Sequence, residues 1–157
     1  MSCCNSKGDK QHTITTEAKC PNCSSEGLKV SFKTLKSLLK ESIADRVIEN
    51  LTYKYCNSSK CALAYFATDG QLTFLASDLK VKATAKDQSL DTNVCYCFGY
   101  TRQDVLDELR MTGHSTTKKM IKKKMRDPGC SCETTNPQGG CCLANVTIWT
   151  KKAINMI

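Results

Sequence analysis

The first half of the chain consists of short apolar segments around one strong turn signal. Residues 62–67 (Ala-Leu-Ala-Tyr-Phe-Ala) alternate, Asp69-Gly70 is a dipeptide typical of hairpin turns, and residues 72–75 continue as a second apolar segment. Residues 51–55 have the composition of a further strand. Between residues 35 and 47, leucine, isoleucine and valine recur at helical spacing, which indicates a short helix. The pattern predicts a small unit of mixed α and β structure.

The second half of the chain has helical spacing throughout. Residues 101–104 resemble a capping box with Asp in place of Glu, the apolar residues after it define one helix face, and Gly113 is a natural C-terminal stop. A second helix is predicted to start after Ser115 or Thr116 and to end before the Asp-Pro-Gly sequence at residues 127–129. A third helix is predicted to begin near Cys142.

The composition argues against one large apolar core. Only 40% of the 157 residues are hydrophobic and 6% are aromatic, whereas 12 are cysteines. Small units of this kind usually depend on disulfides or on bound metal. The sequence contains no apolar run long enough for a membrane span and no apolar segment typical of a secretory signal near its start. We therefore expect a reducing cytoplasmic location, where cysteines favour metal binding over disulfides.

The cysteines fall into six close pairs. Vicinal and Cys-x-Cys spacings are strained as disulfides, whereas thiolates that converge on a metal have no such restriction. Spacing and compartment together favour metal over a disulfide framework. The six pairs are Cys3 and Cys4, Cys20 and Cys23, Cys56 and Cys61, Cys95 and Cys97, Cys130 and Cys132, and Cys141 and Cys142.

Two of these pairs have the spacing of a zinc site. Cys20 and Cys23 form a Cys-x-x-Cys knuckle, and Cys56 and Cys61 bracket a four-residue loop about thirty residues later. The alternative is that some of these thiols are small buried apolar groups. Two chelating pairs instead predict one tetrahedral zinc with four thiolate ligands. Such a zinc is structural, because it has no open coordination position for catalysis.

The remaining cysteines resemble a known family. Cys95-Tyr96-Cys97, two predicted helices and the sequence CETTNPQGGCC at residues 132–142 resemble the 2Fe-2S domain of the CopZ-type archaeal and bacterial copper chaperones. That domain is similar to bacterioferritin-associated ferredoxin. The two upstream cysteine pairs and the hairpin resemble the zinc-binding portion that precedes the cluster domain. The resemblance covers about residues 19–149.

The resemblance implies a cluster site and a redox role. By position, its 2Fe-2S ligands are Cys95, Cys97, Cys132 and Cys142, which leaves Cys130 and Cys141 spare. Spacing alone leaves these neighbouring thiols open as alternatives, since a shift of one or two residues gives equally reachable ligands. The family's full-length chaperones also carry a Met-x-Cys-x-x-Cys copper loop, which this sequence lacks. We therefore expect this protein to share the redox function of the family and not its transfer of copper. Cys3 and Cys4 are either a soft-metal pair or part of a frayed N-terminus.

The charge points to an acidic partner. The net charge is +8, and the densest basic stretch contains no aromatic residue, which favours an acidic redox-partner protein over nucleic acid. A solvated helix face is the alternative. The stretch contains Lys118, Lys119, Lys122, Lys123, Lys124 and Arg126. The only histidines are His12 and His114, and no arrangement for acid–base or nucleophilic catalysis occurs, so we predict that the protein is not an enzyme.

Together these patterns predict an α+β protein that transfers single electrons. It carries a structural zinc and a 2Fe-2S cluster and serves as a redox partner in the handling of copper or another thiophilic metal. The alternative is a zinc-stabilised module that binds a regulator or nucleic acid, with zinc also in the second cysteine set. The predicted segments are a flexible N-terminus (1–18), a zinc-binding domain (19–79), a linker (80–93) and a helical 2Fe-2S domain (94–157).

Overall fold

The computed structural model describes residues 18–127 and 129–157. The predicted flexible N-terminus, with Cys3, Cys4 and His12, lies outside the described residues, apart from its last position. Within the described part of the chain, no helix is long and apolar enough to cross a membrane.

The first half is built on a four-stranded antiparallel sheet in the order β1-β2-β3-β4. The strands are β1 (Leu28–Val30), β2 (Tyr53–Tyr55), β3 (Leu63–Ala67) and β4 (Thr73–Leu75). All five residues of β3 are buried, as expected for a strand covered on both faces. The strands predicted in the hairpin and at residues 51–55 are confirmed. The pattern did not reveal β1, which is only three residues long and has two exposed positions.

Two short helices cover this sheet where the spacing predicted one. They are α1 (Phe32–Leu38) and α2 (Glu41–Ala44), and Leu39 adopts an extended conformation between them. The prediction of a single helix was wrong because Leu39 leaves the helix to form an isolated bridge with Leu79. Both residues belong to the first core, which also holds Tyr53, Tyr65 and Phe74.

The second half consists of a small hairpin and four helices. The hairpin pairs β5 (Asn93–Cys95) with β6 (Tyr100–Thr101), and the helices are α3 (Arg102–Thr112), α4 (Thr117–Arg126), α5 (Cys132–Thr135) and α6 (Leu143–Ile154). The predicted capping box is confirmed, and Gly113 ends α3 with a φ of 79°. The positions predicted for α4 and α6 are confirmed as well, whereas α5 and the hairpin gave no sequence signal.

A separate core fills the second half. Helices α3, α4 and α6 contribute Val105, Leu106, Leu109, Ile121, Val146, Trp149 and Ala153. Three cysteines, Cys95, Cys132 and Cys142, are buried in the same cluster. This core therefore combines apolar side chains with three buried thiols.

The segment predicted as a linker is held against the second half. Residues 80–92 form neither helix nor strand, but the buried Arg102 donates to the carbonyl oxygens of Thr84 and Ser89, at 2.7 and 3.1 Å. The Tyr96 hydroxyl donates to the carbonyl oxygen of Lys82. These bonds fix the path of the segment, while the domain boundaries at 80 and 93 stay a prediction.

The two halves meet where α1 packs on α5 and on the loop after it. The buried Tyr65 hydroxyl donates to the carbonyl oxygen of Pro137 at 2.6 Å, and Thr34 Oγ1 donates to that of Glu133 at 2.7 Å. Gly139 has a φ of 70°, and a Cβ added there would stand 3.0 Å from Thr34 Oγ1. The segment from Cys132 to Cys142 therefore packs against the first half.

Candidate metal centres

The first cysteine set converges on one point. The Sγ atoms of Cys20, Cys23, Cys56 and Cys61 all lie within 4.8 Å of one another. Sγ–Sγ distances are 3.9 Å between Cys20 and Cys61 and 3.5 Å between Cys23 and Cys56. Zn–S bonds of about 2.3 Å in a tetrahedron place the sulfurs about 3.8 Å apart. The four thiols are thus close enough together to bind one zinc ion.

Two loops present these thiols. The knuckle before β1 turns tightly, because Ser24 N–H donates to the carbonyl oxygen of Cys20 and Ser24 adopts a φ of 63°. The second loop joins β2 to β3 and is fixed by Lys86 Nζ, which donates to the carbonyl oxygens of Ser58 and Cys61 at 2.8 and 3.0 Å. Spacing gave no sign of Lys86, since it lies far from the cysteines in the sequence.

The four thiols of the first set differ in burial and in pKa. Cys20, Cys56 and Cys61 are buried, whereas Cys23 is exposed at the rim. Hydrogen bonds with Ser25 lower the pKa of Cys23 to about 6, and burial raises the pKa of Cys56 to about 12. A buried thiol with a raised pKa ionises only if a nearby cation compensates the charge. The donor set therefore suits a bound divalent cation. In addition, Asn22 Nδ2 donates to Cys61 Sγ at 3.2 Å.

The second cysteine set also comes together. Cys97 Sγ lies 3.3 Å from Cys132 Sγ, and Cys142 is in side-chain contact with both Cys132 and Cys95. Cys95 ends β5, Cys97 lies in the turn to β6, Cys132 begins α5 and Cys142 immediately precedes α6. The four residues that the resemblance selected are thus neighbours in space. Three of them are buried, and Cys97 is half-buried.

Contacts among the thiols of the second set shift their pKa values in opposite directions. Hydrogen bonds with Cys142 and Cys97 lower the pKa of Cys132 to about 3, and the contact with Cys132 raises the pKa of Cys142 far above its usual range. Sulfurs this close cannot all ionise, because like charges repel in a buried site. A metal centre of sufficient positive charge removes that repulsion. The residues therefore fit a thiolate-bound metal group.

Cys130 and Cys141 differ from the other described cysteines. Each is disulfide-bonded, whereas the eight cysteines of the two sets are free. The expectation that the cysteines serve metal rather than disulfides therefore fails at these two positions. Both are the residues that the resemblance left spare, so their oxidation removes no thiol from either set.

The basic stretch forms the exposed side of α4. Lys118, Lys119, Lys122, Lys123 and Arg126 are exposed, whereas Lys124 is half-buried. Lys124 Nζ lies 5.0 Å from the ring centroid of Tyr100 and 5.7 Å from that of Phe98. In the described residues none of these cations forms an ion pair. The contact with aromatic rings is not visible in the sequence, because the rings lie more than twenty residues away. His114 is exposed in the turn before α4.

Comparison with known proteins finds a family match within the first half of the chain. Residues 17–80 match the CopZ family model described as a zinc binding domain, and this range contains the whole first cysteine set. The chain is 28% identical over 124 residues to the copper chaperone CopZ of Archaeoglobus fulgidus. The aligned part covers 79% of this chain and 57% of that relative, so the chain spans little more than half of its length.

A solved structure extends the similarity beyond the zinc-binding region. The X-ray structure of the N-terminal domain of Archaeoglobus fulgidus CopZ superimposes with a TM-score of 0.69 at 27% sequence identity. The match covers 83% of this chain and 95% of that domain. The similarity therefore includes much of the second half, where the second cysteine set lies.

Proposed function

We propose that this protein is a one-electron carrier with two metal groups, because residues 17–80 match the model of a CopZ-type zinc-binding domain and the chain is similar in sequence and fold to the N-terminal domain of CopZ. A structural zinc is held by Cys20, Cys23, Cys56 and Cys61. A 2Fe-2S cluster is held by Cys95, Cys97, Cys132 and Cys142. The observation that carries the proposal is the meeting of two separate sets of four free thiols in one fold.

In this proposal the first cysteine set has a structural role, because zinc binding stabilises the folded sheet. Its four thiols tie the knuckle before β1 to the loop between β2 and β3, and Leu63 and Phe66 close over the buried sulfurs. No position is left for a substrate when four thiolates surround one zinc. Binding of the metal is therefore coupled to folding of the sheet.

The second set is built to hold a buried anionic group. Cys142 precedes the twelve-residue helix α6, whose N-terminal dipole favours negative charge at that point. Ser131 N–H donates to Cys97 Sγ at 3.2 Å. A bound 2Fe-2S cluster supplies reversible one-electron chemistry through four cysteine ligands. The surrounding core of Val94, Val105 and Val146 keeps water from the buried thiols.

The class of partner protein is inferred from the homologous copper chaperone and from the positive charge of α4. The homologous protein is a copper chaperone, so we propose that the electron serves a protein that handles copper or another thiophilic metal. The basic face of α4 suits an acidic partner protein. A reducing cytoplasmic location is part of the same proposal, because eight of the ten described cysteines are free thiols, although Cys130 and Cys141 are disulfide-bonded. The proposal includes no chemical turnover of a substrate by this chain.

The test is purification without oxygen, followed by visible spectroscopy and analysis of iron, sulfide and zinc. We expect two iron, two sulfide and one zinc per chain, and bands that bleach with dithionite. Cys132→Ala should remove the bands, whereas Cys130→Ala should keep them, because Cys130 lies outside the set and the loss of its disulfide removes no proposed ligand. A colourless protein with two zinc ions would contradict the redox role and support the zinc-stabilised binding module instead.

A further inference from the structure

We propose that electrons enter and leave the second cysteine set at Cys97, and that the last turn of α4 is where an acidic protein docks to exchange them. This inference rests on the proposed function, since it requires the cluster. It adds the point of exchange and the residue that links that point to the basic helix.

The second cysteine set is accessible to solvent only at one edge, which is formed by Cys97 and its neighbours Gly99 and Ser131. Cys95, Cys132 and Cys142 are at most 2% exposed, whereas Cys97 is half-buried. Around Cys97, Ser131 is exposed and donates to its sulfur, and Gly99 in the adjoining turn is exposed as well. Electron transfer between proteins requires a close approach to the carrier. Among the four thiols, only Cys97 permits such an approach.

A short chain of contacts joins this edge to α4. Phe98 directly follows Cys97, and Tyr100 begins β6 two residues later. Lys124 Nζ lies over both rings and donates to the Tyr100 hydroxyl at 3.2 Å. The half-buried Lys124 therefore holds a positive charge beside the accessible edge, while the exposed lysines of α4 extend that charge outward.

The same arrangement favours a protein over a nucleic acid. Binding of single strands uses open aromatic faces on which bases stack. Here the Lys124 ammonium already lies over the faces of Phe98 and Tyr100. Met120 of α4 is 39% exposed among the lysines, which gives the patch an apolar contact of the kind found at protein interfaces. An acidic protein surface with an apolar centre complements this face.

The first experiment measures the charge at the edge with small redox probes. The dithionite-reduced, cluster-bearing protein gives one electron to hexacyanoferrate(III), an anion, or to hexaammineruthenium(III), a cation. Each probe is reduced by one electron and the cluster is oxidised by one, and stopped-flow absorbance follows the change. The variants are Lys124→Gln, Lys124→Arg as the charge-preserving control, and Lys118→Gln at the far end of α4, about 9 Å along the helix axis.

We expect Lys124→Gln to lower the ratio of the anionic to the cationic rate several-fold at low salt. The ratio is informative because loss of a positive charge lowers the reduction potential and so favours oxidation by both probes. Lys124→Arg should restore the wild-type ratio, and Lys118→Gln should change it less than Lys124→Gln does. Salt should reduce all of these differences, since screening shortens the range of the charge.

The outcomes separate the two proposals. A wild-type protein without cluster bands would overturn the proposed function and this inference with it. A protein that carries the cluster, but shows equal ratios for wild type and Lys124→Gln, would overturn the inference alone. The same holds if Lys118→Gln has the larger effect, because the exchange point then lies elsewhere.

A second experiment tests the class of partner. Fluorescence anisotropy compares a labelled polyglutamate peptide that contains spaced leucines with a single-stranded oligonucleotide of equal charge. We expect the peptide to bind more tightly and Met120→Ser to weaken it, with no effect on the oligonucleotide. Tighter binding of the oligonucleotide would overturn the assignment of a protein partner.

Discussion

Glu108 is a single carboxylate that joins two helices. It lies in the last turns of α3 and accepts hydrogen bonds from Ser115, Thr116 and Thr117 at the start of α4. The Thr116 side chain does not cap α4; instead Glu108 accepts from the Thr116 N–H, and Ser115 Oγ accepts from the Thr117 N–H. Partial burial opposes its ionisation, but these hydrogen bonds outweigh it and lower the pKa of Glu108 to about 2.

We predict that Glu108→Gln lowers the free energy of unfolding by about 1 kcal/mol at neutral pH, because hydrogen bonds to a charged acceptor are stronger than those to a neutral amide oxygen. A carboxyl with a lowered pKa stabilises the folded state above its unfolded pKa, near 4.5, and this contribution is lost as pH falls through about 2. The gap between wild type and variant should therefore close over that range. Denaturant unfolding of both proteins at several pH values measures it, and a gap independent of pH would contradict the role of the charge.

Among the four proposed zinc ligands, Cys23 is best suited to substitution, because it is exposed and its loss leaves no cavity. We predict that Cys23→Ala loses zinc and melts at a markedly lower temperature, while the visible bands of the cluster persist. Ser59→Ala in the second zinc loop is the control, since Ser59 is exposed. If Cys23→Ala kept one zinc per chain and full stability, the ligand assignment would be wrong.

At the scale of residues, the sequence located the thiols but not their surroundings. Chelating spacing predicts Cys20, Cys23, Cys56 and Cys61, since local loops fix those distances. Spacing could not choose between Cys141 and Cys142, because either sulfur is reachable until α6 fixes the backbone. The contacts made by Lys86 and Lys124 were not predictable, since both depend on tertiary packing.

At the scale of elements, the loop between α5 and α6 lies in close contact with the first half. Gly139 occupies left-handed backbone and lies against Thr34 and Val30, whereas Gly140 has ordinary backbone and no atom near its missing Cβ. The two adjacent glycines therefore offer a matched comparison of one close approach with one open position.

We predict that Gly139→Ala destabilises the protein and Gly140→Ala does not. Left-handed backbone costs a residue with a Cβ about 1–2 kcal/mol, and the contact with Thr34 adds a further penalty for overpacking. Thermal melting of both variants with intact metal content measures the difference. Equal melting temperatures would show that the loop moves away from α1 at little cost.

The elements that the sequence predicted were those with local signals. The hairpin has its Asp-Gly turn, α3 has its capping box and Gly113, and α4 ends before a helix-breaking sequence. The missed elements, β1, α5 and the β5–β6 hairpin, are two to four residues long. Elements this short carry no periodicity, so their formation is decided by partners from elsewhere in the chain.

At the scale of the whole molecule, the two cysteine sets are connected through the fold. Gln138 Nε2 donates to Asn57 Oδ1 at 3.0 Å, and Asn145 Nδ2 donates to Gln138 Oε1 at 2.7 Å. Asn57 directly follows the zinc-site residue Cys56, and Gln138 lies in the loop between Cys132 and Cys142. A chain of amides therefore leads from the zinc loop to α6.

We predict that removal of zinc with a chelator loosens the loop at residues 136–140 as well as the zinc loops. The reason is that its contacts with Asn57 and Tyr65 require an ordered first half. Hydrogen exchange measured by mass spectrometry should rise at both places, while α3 remains protected by its own core. A rise confined to the zinc loops would show that the two sites are independent.

The bond from Tyr65 to the carbonyl oxygen of Pro137 has a consequence for the order of maturation. Tyr65 lies in the central strand of the sheet, which is complete before the ribosome has added residues 131–142. The nascent sheet can then act as a template on which the later loop sets the spacing of Cys132 and Cys142. Under the proposed function, zinc binding would come first along this route, and the second cysteine set would receive its metal group at a site already shaped by the zinc-bound sheet.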